Sequence, residues 1–171
     1  MDKADIIIYT DGSSRGNPGP GGYGIVMIQP KSNYIKEFSC GYKKTTNNRM
    51  ELLAVIVALE KIKAENQQVN IYTDSKYVSD AVEKKWLFNW EKKDFKSKKN
   101  PDLWKRFLII YNKHNVSFFW VRGHSNNLYN ERCDHLAVEA SKNNDLLEDF
   151  GYEQSSHQLS LDNGKFHVKW S

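Results

Sequence analysis

Two stretches of this chain follow one pattern. Ile6-Ile7-Ile8-Tyr9-Thr10-Asp11-Gly12 and Val69-Asn70-Ile71-Tyr72-Thr73-Asp74-Ser75 both run from apolar, β-branched residues into Tyr-Thr-Asp and a small residue. A short apolar run closed in this way reads as a buried strand ending in a turn. A carboxylate at the end of a buried strand is costly unless it is hydrogen-bonded or holds a cation. A lone Asp-Gly is ordinarily only a turn. The second copy shifts that balance, because two strands ending alike could place Asp11 and Asp74 side by side at one sheet edge.

The intervening chain fixes how those strands meet. Residues 12–22 read as a long Gly/Pro loop, a wide turn or a place where backbone approaches a ligand. Residues 23–29 and 34–42 read as strands joined by a turn at 30–33, giving an antiparallel meander with the first strand. Residues 49–65 read as a deeply packed helix, apolar on two sides through Leu52, Val55, Ile56, Leu59 and Ile62, and through Met50, Leu53, Ala54, Val57 and Ala58. A helix between strands makes a crossover, so the second Tyr-Thr-Asp strand lies parallel to the first, with both aspartates at one edge. Further helices are expected at 75–85, 101–112 and 130–142, and a strand at 116–121. Trp104 is expected in the core, and Trp86 and Trp90 at the surface.

Glu51 shares a helix side with Val55, Ala58 and Ile62, so a carboxylate faces inward at a helix start. The ordinary alternative is a first-turn cap near Asn48. Asp134 lies one helical step from the Ala137 side; its alternative is compensation of the helix dipole. His124 follows Arg122-Gly123 in a polar loop, where an isolated histidine is usually just exposed. Asp11, Glu51, Asp74 and Asp134 thus come from four elements, each near an element end. Four acids in one pocket repel one another and raise each other's pKa. Hard divalent cations with oxygen ligands relieve this, with Mg²⁺ the expected ion and Mn²⁺ an alternative. A two-metal site would serve an in-line phosphoryl displacement.

Charge points to the partner. Residues 84–106 hold nine Lys or Arg and three acids, a net +6 in a chain whose formal net charge is +4, so the remainder is −2. Lysines interleaved with Trp86, Trp90 and Phe95 suit a sugar-phosphate backbone, although a solvated lysine-rich face is common. No apolar stretch approaches the roughly 20 residues of a membrane span. Cys40 and Cys133 show no metal-ligand spacing and suit a reducing cytoplasm.

Tyr9-Thr10-Asp11-Gly12-Ser13, residues 16–24 (Gly-Asn-Pro-Gly-Pro-Gly-Gly-Tyr-Gly), Thr45-Thr46-Asn47-Asn48-Arg49-Met50-Glu51-Leu52, Tyr72-Thr73-Asp74-Ser75-Lys76-Tyr77-Val78, Val121-Arg122-Gly123-His124 and Asn130-Glu131-Arg132-Cys133-Asp134 together resemble type 1 ribonuclease H of bacteria. The resemblance covers residues 5–152. It implies a metal-dependent endonuclease that cleaves the RNA strand of RNA–DNA hybrids, leaving 3′-hydroxyl and 5′-phosphate ends. It assigns metal binding to Asp11, Glu51, Asp74 and Asp134, and an auxiliary catalytic role to His124. It implies that Asn17, Asn47 and Asn48 read RNA 2′-hydroxyls, the group that tells RNA from DNA. It implies a DNA phosphate pocket near Lys44, Thr46 and Asn100, a DNA-strand channel of Tyr77, Trp86 and Trp90, and a basic grip that includes Lys92 and Lys93. Two departures are visible. The segment between Trp90 and Asn100 is shorter than in many bacterial relatives, and the loop after His124 lacks their His-Pro-Glu.

The expected architecture is a ribonuclease H-like α/β domain over residues 1–152. Its five-stranded mixed sheet has strands 1–3 antiparallel, strands 1, 4 and 5 parallel, and helices on both faces. The start at Met1 favours a free-standing enzyme over part of a larger reverse-transcription system. A monomer in the cytoplasm is expected, with the hybrid as partner and no membrane association. Residues 153–171 extend beyond the resemblance. They alternate about Asn163-Gly164, the dipeptide of a tight hairpin. That hairpin is expected to dock its apolar face on the body or on a partner chain, the alternative being a frayed tail.

Overall fold

Strand β1 (Ile6–Ser14) lies at the centre of a five-stranded sheet, between β2 (Gly19–Gln29), which is antiparallel to it, and β4 (Gln68–Thr73), which is parallel. β3 (Tyr34–Thr45) continues antiparallel beyond β2, and β5 (Asn115–Trp120) continues parallel beyond β4. The order β3-β2-β1-β4-β5 is the expected mixed sheet. This computed structural model describes residues 3–152. The hairpin expected in 153–171 lies outside the described residues.

Helix α1 (Asn47–Glu60) carries the chain from β3 across to β4. Thr46 caps it by accepting from the Arg49 N–H, so Glu51 is not the cap. The helix stops at Glu60 rather than running on to 65. The Lys61 N–H folds back onto the carbonyls of Val57, Ala58 and Leu59, and Asn66 takes a left-handed φ of 53° in the polar link to β4. After β4 come α2 (Lys76–Glu83), α3 (Trp86–Lys92) and α4 (Pro101–Tyr111); after β5 comes α5 (Leu128–Ser141). Ser75 caps α2, Asn127 caps α5, and Pro101 opens α4 at a position where its missing N–H costs nothing.

One face of the sheet presents Ile8, Ile71 and Phe118 to Leu52, Val55 and Ile56 of α1 and to Trp104 and Phe107 of α4, forming the main core. Trp104 is fully buried, as expected. Removing such a side chain typically costs about 3–5 kcal/mol. On the other face α5 packs against β1, β2 and β3. There Tyr129, Tyr9, Tyr72 and Phe119 form a row of rings with centroids 5.0, 4.9 and 5.1 Å apart, ending at Phe119, which is 42% exposed. β5 is an edge strand, and the Phe118 N–H donates to Glu83 Oε1 at 3.1 Å.

The Gly/Pro stretch is not a long loop. β1 runs through Ser14 and β2 starts at Gly19, so residues 15–18 make the connection. The glycines serve packing instead. A Cβ on Gly12 would overlap the main chain of Met50 and Glu51, and one on Gly24 would overlap the Cys133 carbonyl of α5. The last described stretch runs beside β3, where the Lys43 N–H donates to the Leu147 carbonyl and the Leu147 N–H to the Gly41 carbonyl. Among the described residues, no helix is long and apolar enough to cross a membrane.

Candidate active site

Thr10 and Thr73 face each other across the parallel β1–β4 ladder, so Asp11, within β1, and Asp74, just past the end of β4, come side by side where that ladder stops. The close approach of Gly12 to α1 brings Glu51 to the same point. Carboxylate oxygens of Asp11, Glu51 and Asp74 lie within 4.8 Å of one another. Asp11 and Glu51 are each 5% exposed. Asp11 Oδ1 accepts from the Gly12 N–H at 2.9 Å, whereas Glu51 Oε2 is buried without a protein partner.

The electrostatics follow from this crowding. Burial, then the Asp74 charge, pushes Asp11 up to about 7. Burial, then Asp11, holds Glu51 well above the usual carboxylate range. Burial raises Asp74 as well, with Asp134 adding to the rise and His124 opposing it. Three converging carboxylates, one of which carries an unpartnered buried oxygen, with carboxyls that resist ionisation, fit a hard divalent cation. Asp134 is half-buried on the first turns of α5 and contributes its charge to both Asp11 and Asp74. It stands beside the three-carboxylate cluster, not within it. His124 is exposed in the loop before α5, with φ 56°.

Two contributors escape a reading of the sequence. A Cβ on Gly123 would lie 2.7 Å from Asp74 Oδ2, so glycine lets the His124 loop approach that carboxylate. Trp120 Nε1 donates to the Asp74 carbonyl at 2.9 Å and pins its backbone. The Arg-Gly-His run marks a loop, but only the position of Asp74 gives its glycine a purpose.

The expected substrate residues divide into groups. Asn17 Oδ1 accepts from the Asn47 N–H at 3.1 Å, and Asn48 stands exposed beside them at the start of α1. Lys44 is exposed and Thr46 caps α1. Asn100 Nδ2 donates to Tyr77 Oη at 3.0 Å, and Trp104 Nε1 donates to the same oxygen at 3.0 Å, so Tyr77 is anchored to the core. Trp86 is exposed beneath the Lys84 ammonium. Trp90 departs from the expected surface position: it is half-buried edge-on against Trp104 at 5.8 Å, with Lys98 over its ring. It packs because Trp104 of α4, part of the main core, presents a ring to it. Lys92 and Lys93 are exposed at the end of α3.

The RNase H family profile matches residues 3–142. The chain belongs to the ribonuclease H family. The ribonuclease H of Trichodesmium erythraeum is 54% identical over 156 residues, covering 88% of this chain and 98% of the relative. That of Desulforamulus reducens is 52% identical, covering 83% and 91%. Among solved structures, LC9-RNase H1, described as a type 1 RNase H with the type 2 active-site motif, superposes with a TM-score of 0.74 at 31% identity, covering 99% of this chain and 88% of that one. LC11-RNase H1 in complex with an RNA/DNA hybrid gives a TM-score of 0.59 at 31% identity, covering 79% and 95%. The ribonuclease H architecture therefore frames the carboxylate cluster.

Proposed function

We propose that this ribonuclease H cuts the RNA strand of RNA–DNA hybrids at a divalent-metal centre held by Asp11, Glu51 and Asp74, with Asp134 as the fourth carboxylate. The observation that carries the reading is the meeting of three carboxylates from three elements, with Glu51 Oε2 buried and unpartnered. Mg²⁺ suits the all-oxygen set, and Mn²⁺ would serve the same ligands. Held by these carboxylates as a pair, such cations would supply a nucleophilic water and neutralise the leaving oxygen of an in-line displacement that leaves 5′-phosphate and 3′-hydroxyl ends.

The chain's own residues do the remainder. Asn17, Asn47 and Asn48 meet 2′-hydroxyls of the RNA strand at the start of α1. Lys44, Thr46 and Asn100 hold a phosphate of the DNA strand, and Trp86, with Tyr77 and Trp90 behind it, lines the path of that strand. Lys92 and Lys93 add sequence-independent attraction. His124, exposed on its loop and near Asp74, exchanges a proton with the departing product. We place this chemistry in a catalytic domain formed by residues 1–152, acting as a monomer in the cytoplasm, where Cys40 and Cys133 stay reduced.

The test is cleavage of a hybrid labelled on its RNA strand. Cutting that needs Mg²⁺, stops with chelator, and spares duplex RNA and the DNA strand supports the reading. Binding of the hybrid without any cleavage in Mg²⁺ or Mn²⁺ would overturn it in favour of a hybrid-binding protein.

A further inference from the structure

Arg49 is a charged side chain with no role in the site so far described, and it is 1% exposed. An uncompensated guanidinium at that depth would be strongly destabilising. Its fork is fully occupied. Nε and Nη2 donate to Asp149 at 2.8 and 3.0 Å, Nη1 and Nη2 donate to Asp102 at 2.9 and 2.7 Å, and Nη1 also reaches Asn100 Oδ1 at 3.2 Å. Asp149 is held in turn by the Thr45 hydroxyl at 2.6 Å. Two carboxylates offset the one cation, so Arg49 is not itself an anion site.

Its effect lies in what it takes from its neighbours. The Arg49 main-chain N–H donates to Thr46 Oγ1 at 3.2 Å, and its side chain donates to Asn100 Oδ1. Both neighbours thereby give an acceptor oxygen to the same residue. A hydroxyl engaged as acceptor keeps its O–H to donate elsewhere. An amide whose oxygen is engaged turns its NH₂ the other way. One hydrogen of Asn100 Nδ2 goes to Tyr77 Oη, and a second remains. Asn100 itself sits at a left-handed φ of 61° immediately before Pro101, so its backbone is held as well.

We infer that Arg49 is a positioning residue for the DNA strand: through its main chain and side chain it aims the Thr46 hydroxyl and the Asn100 amide as donors toward one backbone phosphate. Asp102 and Asp149 fix the guanidinium, which makes the chain segment after α5 part of the grip on substrate. This deepens the hybrid-cleaving reading above and rests on it.

The experiment is steady-state cleavage of a hybrid by the full chain, its Arg49→Lys, Asp149→Asn and Asn100→Ala variants, and the two doubles with Asn100→Ala, each assayed below its melting temperature. A lysine ammonium keeps the charge but cannot hold two carboxylates and an amide at once. R49K is expected to raise KM about ten-fold, the size of one hydrogen bond to a charged group, with kcat within about two-fold. D149N is expected to shift KM in the same direction. Each double variant should bind no worse than N100A alone, because the losses share one path. A DNA strand carrying a single neutral methylphosphonate, placed where it weakens the wild type, should cost R49K nothing further. Losses that multiply in both doubles, or a methylphosphonate penalty that persists undiminished in R49K and D149N, would overturn the inference and leave Arg49 a purely structural ion pair. Failure of the wild type to cut the hybrid in Mg²⁺ would instead overturn the enzymatic reading.

Discussion

Thr10 and Thr73 are partners in the parallel β1–β4 register, and each is followed by a carboxylate. The consequence is a forced encounter. Asp11 and Asp74 cannot separate without breaking the central ladder of the sheet, so their mutual repulsion is built into the fold. The metal-free protein therefore carries an electrostatic strain that a bound cation removes.

Replacing Asp11 with Asn should abolish cleavage and stabilise the metal-free protein. Burial raises the Asp11 pKa to about 7 in the folded state, against an ordinary value near 3.8. The folded state thus holds its proton more tightly than the unfolded chain does, so this group's contribution to stability falls as pH rises from about 4 to about 7. Melts in chelator should show D11N gaining roughly 1–3 kcal/mol over wild type at pH 8 and little at pH 4. Normal turnover by D11N would refute the site.

Metal binding should release protons. Ions that take the place of protons on Asp11 and Glu51 expel them, more at pH 6.5 than at pH 8.5. Calorimetric titration with Mg²⁺ in two buffers of different ionisation enthalpy reads this directly. Heats independent of buffer at pH 6.5 would show that the carboxyls were already ionised.

Gly123→Ala should slow catalysis without unfolding the protein. The new methyl group would press on Asp74 Oδ2, so the loop or the carboxylate must give way. We expect kcat to drop about ten-fold, the effect of misplacing a reacting group by a fraction of an ångström, with the melting temperature within a few degrees of wild type. An unchanged kcat would mean that the loop accommodates the methyl at no cost to Asp74.

Replacing Lys92, Lys93, Lys96, Lys98 and Lys99 with Ala should weaken hybrid binding and flatten its dependence on salt. Each neutralised phosphate contact contributes about −0.9 to the slope of log K against log salt for a B-form duplex, so losing three or four contacts should lower the slope by about 3. Cleavage at saturating substrate should survive. An unaltered slope would make the patch a solvated surface only.

How much of this was legible follows from where each signal lies. The repeated Tyr-Thr-Asp, the apolar helix between its copies and the alternation in the strands are local, and they led directly to the sheet order and to Asp11, Glu51 and Asp74. The glycines of residues 12–22 read as loop, because Gly-rich sequence looks like loop until α1 and α5 press against it. Trp90 read as surface because its partner, Trp104, lies on another helix. Arg49 was invisible for a stronger reason: a charged residue in a first helical turn reads as exposed, and the carboxylates that bury it lie 53 and 100 residues further on.

The Glu83 contact with the Phe118 N–H bears on how the protein tolerates its own concentration. An open sheet edge is a template on which another extended chain can pair, and β5 ends in a run of Phe118, Phe119 and Trp120 that would favour such growth. With a carboxylate seated on the middle amide of that edge, an incoming strand must first evict a charged acceptor and bury it or push it aside. A conservative Glu83→Gln change would keep an acceptor on that amide but remove its charge, so the variant should lose solubility at a lower protein concentration than the wild type.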